Sequence, residues 1–269
     1  LGARLNTYGV IGFGRIGQHI VGRLQGPDAP RFVAALVRPS QVDQARLVFG
    51  DEEICTDLDE FVSRHPAIAV ECASAAALDS YGPALLAAGI DLVPLSLAAL
   101  ANPAVEARLR HAALVGPGRV ELAAGAMASL DFLAAAREDG LTQVTFRASY
   151  PTARWIGTPA ERFIDLARVA SPIVFFRGSV REATGLFPRH LNVSVGIALA
   201  GLGLDDTATE LLADPALSQA AFEVTVVSRA GTIRLCIGPS DAIAGADPLD
   251  YTSFSVMQIL RRRAARIAR

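Results

Sequence analysis

Residues 8–24 read YGVIGFGRIGQHIVGRL, and the fold turns on how this stretch is read. Tyr8–Ile11 is a short apolar run of strand type, and Ile16–Leu24 spaces its apolar residues as a helix does. Between them, Gly12-Phe13-Gly14-Arg15-Ile16-Gly17 places three glycines in a strand-to-helix turn. Gly12 allows a tight turn, Gly14 lets a pyrophosphate approach the backbone, and Gly17 lets helix and strand pack closely. The phosphates then meet N–H groups at the helix start, around Arg15 and Ile16. The stretch therefore predicts a dinucleotide site.

The same alternation continues downstream. Apolar runs at Phe32–Val37, Ala67–Glu71, Asp91–Pro94 and Arg119–Leu122 are separated by helical patterns at Gln41–Val48, Leu58–Arg64, Ser80–Ala88 and Asn102–Ala113. That rhythm predicts an α/β domain of Rossmann type, a doubly wound parallel sheet, over residues 1–125. The end of the second strand distinguishes the dinucleotides, because an NAD site usually carries an acidic residue there for the ribose hydroxyls. Here it reads Val37-Arg38-Pro39-Ser40. Arg38 suits a 2′-phosphate and Ser40 can add a hydrogen bond, so NADP is favoured over NAD. A solvated surface arginine would look the same, and nothing outside the glycine loop suggests a flavin.

Composition narrows the partners. The chain has 269 residues, a formal net charge of −2 and a sequence pI near 6.1, which leaves no electrostatic footprint for nucleic acid or an anionic membrane. Its longest apolar stretch, Leu85–Leu100, is broken by Asp91 and Pro94, so no membrane span is expected. A signal-peptide pattern is missing at the start, and Cys55, Cys72 and Cys236 form no paired framework; both point to the cytoplasm. All 25 basic residues are arginine, so neither a Schiff base nor a lysine general base is available.

After about residue 125 the rhythm changes. Strands are expected at Thr142–Ser149, Ile173–Arg177, Thr207–Ala213, Phe222–Ser228 and Thr232–Ile237, the last two joined by a three-residue loop, Arg229-Ala230-Gly231. Capping boxes are expected at Thr158-Pro159-Ala160-Glu161 and Ser179-Val180-Arg181-Glu182, and a helix at Asn192–Leu202. Residues 126–246 thus predict an α+β substrate and oligomerisation domain. The basic helix near the C-terminus, within residues 247–269, is expected to return to the first domain.

Several stretches taken in order resemble the L-aspartate dehydrogenase family: Glu71-Cys72-Ala73-Ser74, Leu95-Ser96, Gly125-Ala126, Trp155-Ile156-Gly157-Thr158-Pro159-Ala160-Glu161 and Phe187-Pro188-Arg189-His190-Leu191-Asn192-Val193. The resemblance covers nearly the whole chain. It implies an NAD(P)-dependent oxidoreductase acting on a C–N bond, which interconverts aspartate with iminosuccinate, or oxaloacetate plus ammonia. It implies a small-molecule amino acid, keto acid or imine as substrate, and a homo-oligomer, a dimer, formed through the second domain's sheet. It also places Ala126 beside the nicotinamide, makes Asn192 a cofactor contact, and sets Ala73, Ser74 and Ser96 along the cofactor cleft. For Ala73 and Ser96 the alternative is small-residue packing, and for Asn192 a helix cap.

The departures from that family are specific. The position of its catalytic histidine, on the hairpin strand, holds Phe222. Its Lys-Pro-Pro before the tryptophan is Tyr150-Pro151-Thr152, its asparagine is His190, and its Asn-Pro-Lys near the C-terminal helix is Asp247-Pro248-Leu249. A phenyl ring moves no proton, so His190 and Tyr150 become the candidates for that role, against capping or packing roles for both. Arg147, Arg154 and Arg189 are candidates to replace the lost cations. Two alternatives follow: a reductase of a less charged imine or carbonyl compound, and a non-catalytic NADP-binding sensor.

Overall fold

The computed structural model describes residues 6–26, 29–127, 130–239 and 250–265. The chain divides into two compact units, Leu1–Ala123 with Thr252–Arg269, and Ala124–Tyr251. In the first, β1 (Thr7–Ile11), β2 (Arg31–Leu36), β3 (Ile54–Cys55), β4 (Ile68–Glu71) and β5 (Asp91–Pro94) form a parallel sheet in the order β3-β2-β1-β4-β5. This is the strand order of the dinucleotide-binding fold. The helices between are α1 (Arg15–Arg23), α2 (Val42–Phe49), α3 (Leu58–Ser63) and α4 (Ala75–Ala87), and α5 (Pro103–Val115) follows β5. Buried on both faces, β1 and β4 read as continuous apolar runs rather than alternating ones.

Three local readings are corrected here. The two-residue strand β3 carries too few residues to show a period. The expected strand at Arg119–Leu122 is a single parallel bridge between Leu92 and Val120. Leu92 N–H donates to Arg119 and Glu121 N–H to Leu92, but the next donor in that ladder would be Pro94, which has no N–H. The helix expected from Ser80 starts five residues earlier at Ala75, because Ser74 Oγ accepts from the Ala77 N–H and caps it.

The last helix, α9 (Tyr251–Ala264), comes after the second unit, whose own helices are α6 (Leu130–Asp139), α7 (Val180–Leu186) and α8 (Asn192–Ala200). Val256, Met257, Ile259 and Leu260 of α9 share one core with Tyr8, Val10, Ile20 and Val93. Arg262 and Arg263 pair with Glu121, and Arg263 also with Asp91. His19 Nδ1 lies 2.8 Å from Ser253 Oγ, which gives that histidine a structural role. The Asp247-Pro248-Leu249 segment lies outside the described residues.

The second unit is built on a mixed sheet in the order β10-β9-β6-β8-β7, from β6 (Leu141–Pro151), β7 (Ile173–Ser179), β8 (Ala208–Asp214), β9 (Ala221–Ser228) and β10 (Gly231–Ile237). Val144, Phe146, Ala148 and Tyr150 alternate inward along β6, as do Phe222, Val224 and Val226 along β9. The other face is charged. Glu210 there accepts from Arg147 (2.6 and 2.8 Å) and Arg177 (2.9 Å), so Arg147 is engaged in that pair.

Details again depart from expectation. Ser228 pairs directly with Gly231, so the hairpin loop has two residues, Arg229 and Ala230. The Ser179 box is complete. At Thr158 the hydroxyl accepts from Ala160 N–H, but Glu161 turns to the Gly157 N–H instead of Thr158. Asn192 is the first residue of α8; the N-cap is Leu191.

Candidate active site

A cleft of about 500 Å³ opens in the first unit, where the C-terminal ends of β1, β2 and β4 meet the loops that follow them. Open α/β sheets bind ligands at that end. Its floor is the glycine turn. Gly12 has φ +110°, and a Cβ there would stand 2.9 Å from Ala73 Cβ, so glycine is required by both conformation and space. At Gly17 a Cβ would meet the Gly12 carbonyl at 3.1 Å, which is the close helix-to-strand packing anticipated from the spacing. Gly14 differs: the nearest protein atom to a Cβ would be 4.0 Å away. The protein itself does not demand glycine there, and a bound pyrophosphate would. These residues therefore fit a dinucleotide.

Arg38 lines the cleft, exposed, with its Nε donating to Gln41 Oε1 at 3.1 Å. Ala73 and Ser74 line the opposite side together with Tyr81, and Ser74 also caps α4. Arg15, Ile16, Gly17 and Ser40 flank the turn and the β2 loop without lining the cleft. Ser96 does not line it either. Its N–H and hydroxyl both donate to Glu71, a buried carboxylate to which the sequence reading assigned no role. The signal for it was an acidic residue ending an otherwise apolar buried strand.

The candidates of the second unit gather around one histidine. His190 stacks on Trp155 with ring centroids 4.7 Å apart and stands edge-on to Tyr150 at 5.1 Å. The Tyr150 hydroxyl donates to the His190 carbonyl at 2.9 Å, and the His190 N–H donates to Phe187. Trp155 is fixed in turn by donation from Nε1 to the Leu212 carbonyl. Tyr150 is only 5% exposed and its hydroxyl is engaged with the His190 backbone, an arrangement that suits a support for His190. Burial holds the His190 pKa below the ordinary imidazole value; the charges of Arg154 and Arg189 push the same way, and the Arg154 backbone hydrogen bond opposes them.

Phe222 is buried with its ring 5.8 Å from Tyr150 and 5.8 Å from Phe146. Tyr150, His190 and Phe222 thus belong to one ring cluster centred on Tyr150. The guanidinium groups of Arg154 and Arg189 have no ion pair among the described residues. Ala126 is buried after Gly125, whose φ is +61°, and a Cβ on Gly125 would lie 3.9 Å from Val193. This brings the Ala126 turn to the start of α8, where Asn192 is exposed. Among the described residues no His, Cys, Asp and Glu cluster suits a metal, and no helix is long and apolar enough to cross a membrane.

A parallel sheet in this strand order, with a glycine turn whose Gly14 is left open to a ligand, marks the class of dinucleotide-dependent dehydrogenases. Residues 12–122 match the family described as homoserine dehydrogenase, NAD binding domain, and residues 131–263 match aspartate dehydrogenase, C-terminal. The chain is 35% identical to an L-aspartate dehydrogenase of Ralstonia pickettii over 95% of its own length and 96% of the relative's. It is 33% identical to one of Pseudomonas aeruginosa, over 96% and 98%. Aspartate dehydrogenase of Thermotoga maritima shares the fold, with a TM-score of 0.76 at 24% identity over 97% of each chain. The protein belongs to the aspartate dehydrogenase family.

Proposed function

We propose that the protein is an NADP-preferring dehydrogenase that interconverts aspartate with iminosuccinate, and so with oxaloacetate plus ammonia, using His190 for the proton. The observation that carries this reading is the cluster of Tyr150, His190 and Phe222. The resemblance puts the family's imidazole at Phe222; His190 lies one ring away across Tyr150, stacked on Trp155.

The bound nicotinamide would supply or accept the hydride at the substrate's α-carbon. Gly12 and Gly14 would make room for the pyrophosphate, the N-terminal turn of α1 would receive it, and Arg38 would pair with the 2′-phosphate. The family resemblance adds Ala126 and Asn192 as cofactor contacts. His190 would take or give the proton, and its lowered pKa favours the neutral, proton-accepting form near neutral pH. Arg154 and Arg189, both close enough to influence that ring, would balance the substrate carboxylates. We read the working form as a cytoplasmic homodimer.

The test is NAD(P)H absorbance at 340 nm, first with NADPH and then NADH, against oxaloacetate plus ammonia and, in parallel, neutral ketones with amines and cyclic imines. Oxidation with oxaloacetate and ammonia supports aspartate chemistry. Turnover of the neutral compounds alone would favour a second reading, a reductase of less charged imines, for which the apolar Phe222 speaks. Tight cofactor binding without any turnover would leave a sensor.

A further inference from the structure

Glu71 ends β4 and is 1% exposed, yet no ion pair reaches its carboxylate among the described residues. Four donors do. Oε1 accepts from the Ala73 N–H at 2.8 Å, the Ser74 N–H at 2.9 Å and the Ser96 hydroxyl at 2.9 Å, while Oε2 accepts from the Ser96 N–H at 3.0 Å. Burial raises its pKa above the ordinary carboxylate value, and these hydrogen bonds pull it back. Burying a carboxylate without a cation is costly, so its donor set must be what it is kept for.

Those donors belong to two loops. Ala73 and Ser74 follow β4 and line the dinucleotide cleft; Ser96 follows β5, the neighbouring strand. Neither loop is bound to the other by the sheet ladder, which ends where Glu71 pairs with Pro94. Beyond that point Leu95 N–H still donates to the Glu71 carbonyl, and the rest of the connection runs through the side chain.

We propose that Glu71 is a positioning residue for the cofactor: its carboxylate clamps the loop after β4 to the loop after β5 and so sets the cleft wall formed by Ala73 and Ser74. This rests on the dinucleotide reading of the cleft. Both oxygens accept, and the ionised carboxylate does so with no proton of its own to place. A glutamine offers one acceptor and one NH₂ group, and would set that NH₂ against the Ser96 N–H.

The experiment compares the full chain with Glu71→Gln, which keeps side-chain volume and removes a buried charge. Removing the buried charge relieves its desolvation while the donor left facing the new NH₂ adds a cost, so stability is followed beside cofactor affinity. NADPH and NADH are titrated by nicotinamide fluorescence, with thermal unfolding and backbone amide exchange followed without cofactor. The expected result is at least tenfold weaker binding of the tighter cofactor, faster exchange at the Ser96 amide, and KM for the cofactor rising more than kcat falls, in a chain that still unfolds cooperatively.

Binding within twofold of the parent, or unchanged exchange at Ser96, overturns the proposal. If Glu71→Gln does not fold, Ser96→Ala removes one of the four bonds and is expected to weaken cofactor binding about threefold; unchanged affinity there overturns it equally. A parent chain that binds neither NADPH nor NADH would instead refute the dinucleotide reading, and the proposal with it.

Discussion

Removing a single oxygen atom at Tyr150 separates a proton carrier from a support. Tyr150→Phe leaves the ring against Trp155, at 5.3 Å, and Phe222, at 5.8 Å, and deletes only the hydroxyl that donates to the His190 carbonyl. One neutral hydrogen bond is worth about 0.5–1.5 kcal/mol net. At about 1.4 kcal/mol per tenfold in rate, complete loss of that support slows turnover by roughly two- to tenfold. Losing a general acid or base costs about 10²–10⁴-fold. We therefore expect Tyr150→Phe to lower kcat by tenfold at most with the shape of the pH profile kept, and His190→Gln to lower it by at least a hundredfold with cofactor affinity unchanged. The assay is the initial rate at 340 nm from acid to neutral pH, with fluorescence titration of NADPH. A hundredfold loss in Tyr150→Phe at unchanged melting temperature would refute this assignment, as would His190→Gln retaining a third of the parent rate.

Four further outcomes follow from the same geometry. Gly12→Ala forces a side chain into φ +110° and against Ala73, strain of about 1–3 kcal/mol with overpacking of similar size; a lowered melting temperature and lost cofactor binding are expected. Gly14→Ala meets nothing in the protein closer than 4.0 Å, so its melting temperature should hold while NADPH affinity falls at least tenfold by fluorescence titration. Arg38→Ala should raise KM for NADPH about tenfold or more and leave KM for NADH within twofold, because only the former carries the 2′-phosphate. Arg189→Gln removes a positive charge that lowers the His190 pKa, so the acid limb of kcat/KM should move to higher pH. The sign for stability agrees: a depressed imidazole contributes stability above its ordinary pKa and loses it as the pH falls through the lowered one.

The first unit was legible because its requirements are local. Gly12, Gly14 and Gly17 answer to a turn and a helix start within ten residues, and strands buried on both faces leave unbroken apolar runs. What escaped depends on partners far along the chain. The bridge at Val120 stops because Pro94, on another strand, lacks an N–H. Ser96 bonds to Glu71, 25 residues back, and Arg147 to Glu210, 63 residues on, so neither partner is visible in the local sequence. In the second unit the inward alternation of β6 and β9 was visible, but the use of Tyr150 was not, since its hydroxyl finds its acceptor forty residues away at His190.

That last contact changes how the departures are weighed. Taken one at a time, a phenylalanine in place of the family's histidine argues for lost catalysis, and a lone histidine at a helix entrance argues for nothing. Their neighbourhood argues otherwise. Phe222 packs against Tyr150, Tyr150 holds the backbone of His190, and Trp155 stacks on its ring. Returning an imidazole to position 222 would place a polar ring against Phe146 and Tyr150 in a buried apolar setting, where an unpaired nitrogen costs about 1–3 kcal/mol. The apolar ring at 222 and the imidazole at 190 are therefore two parts of one arrangement. Loss of activity in His190→Gln without recovery in a Phe222→His, His190→Gln double variant is what that arrangement requires.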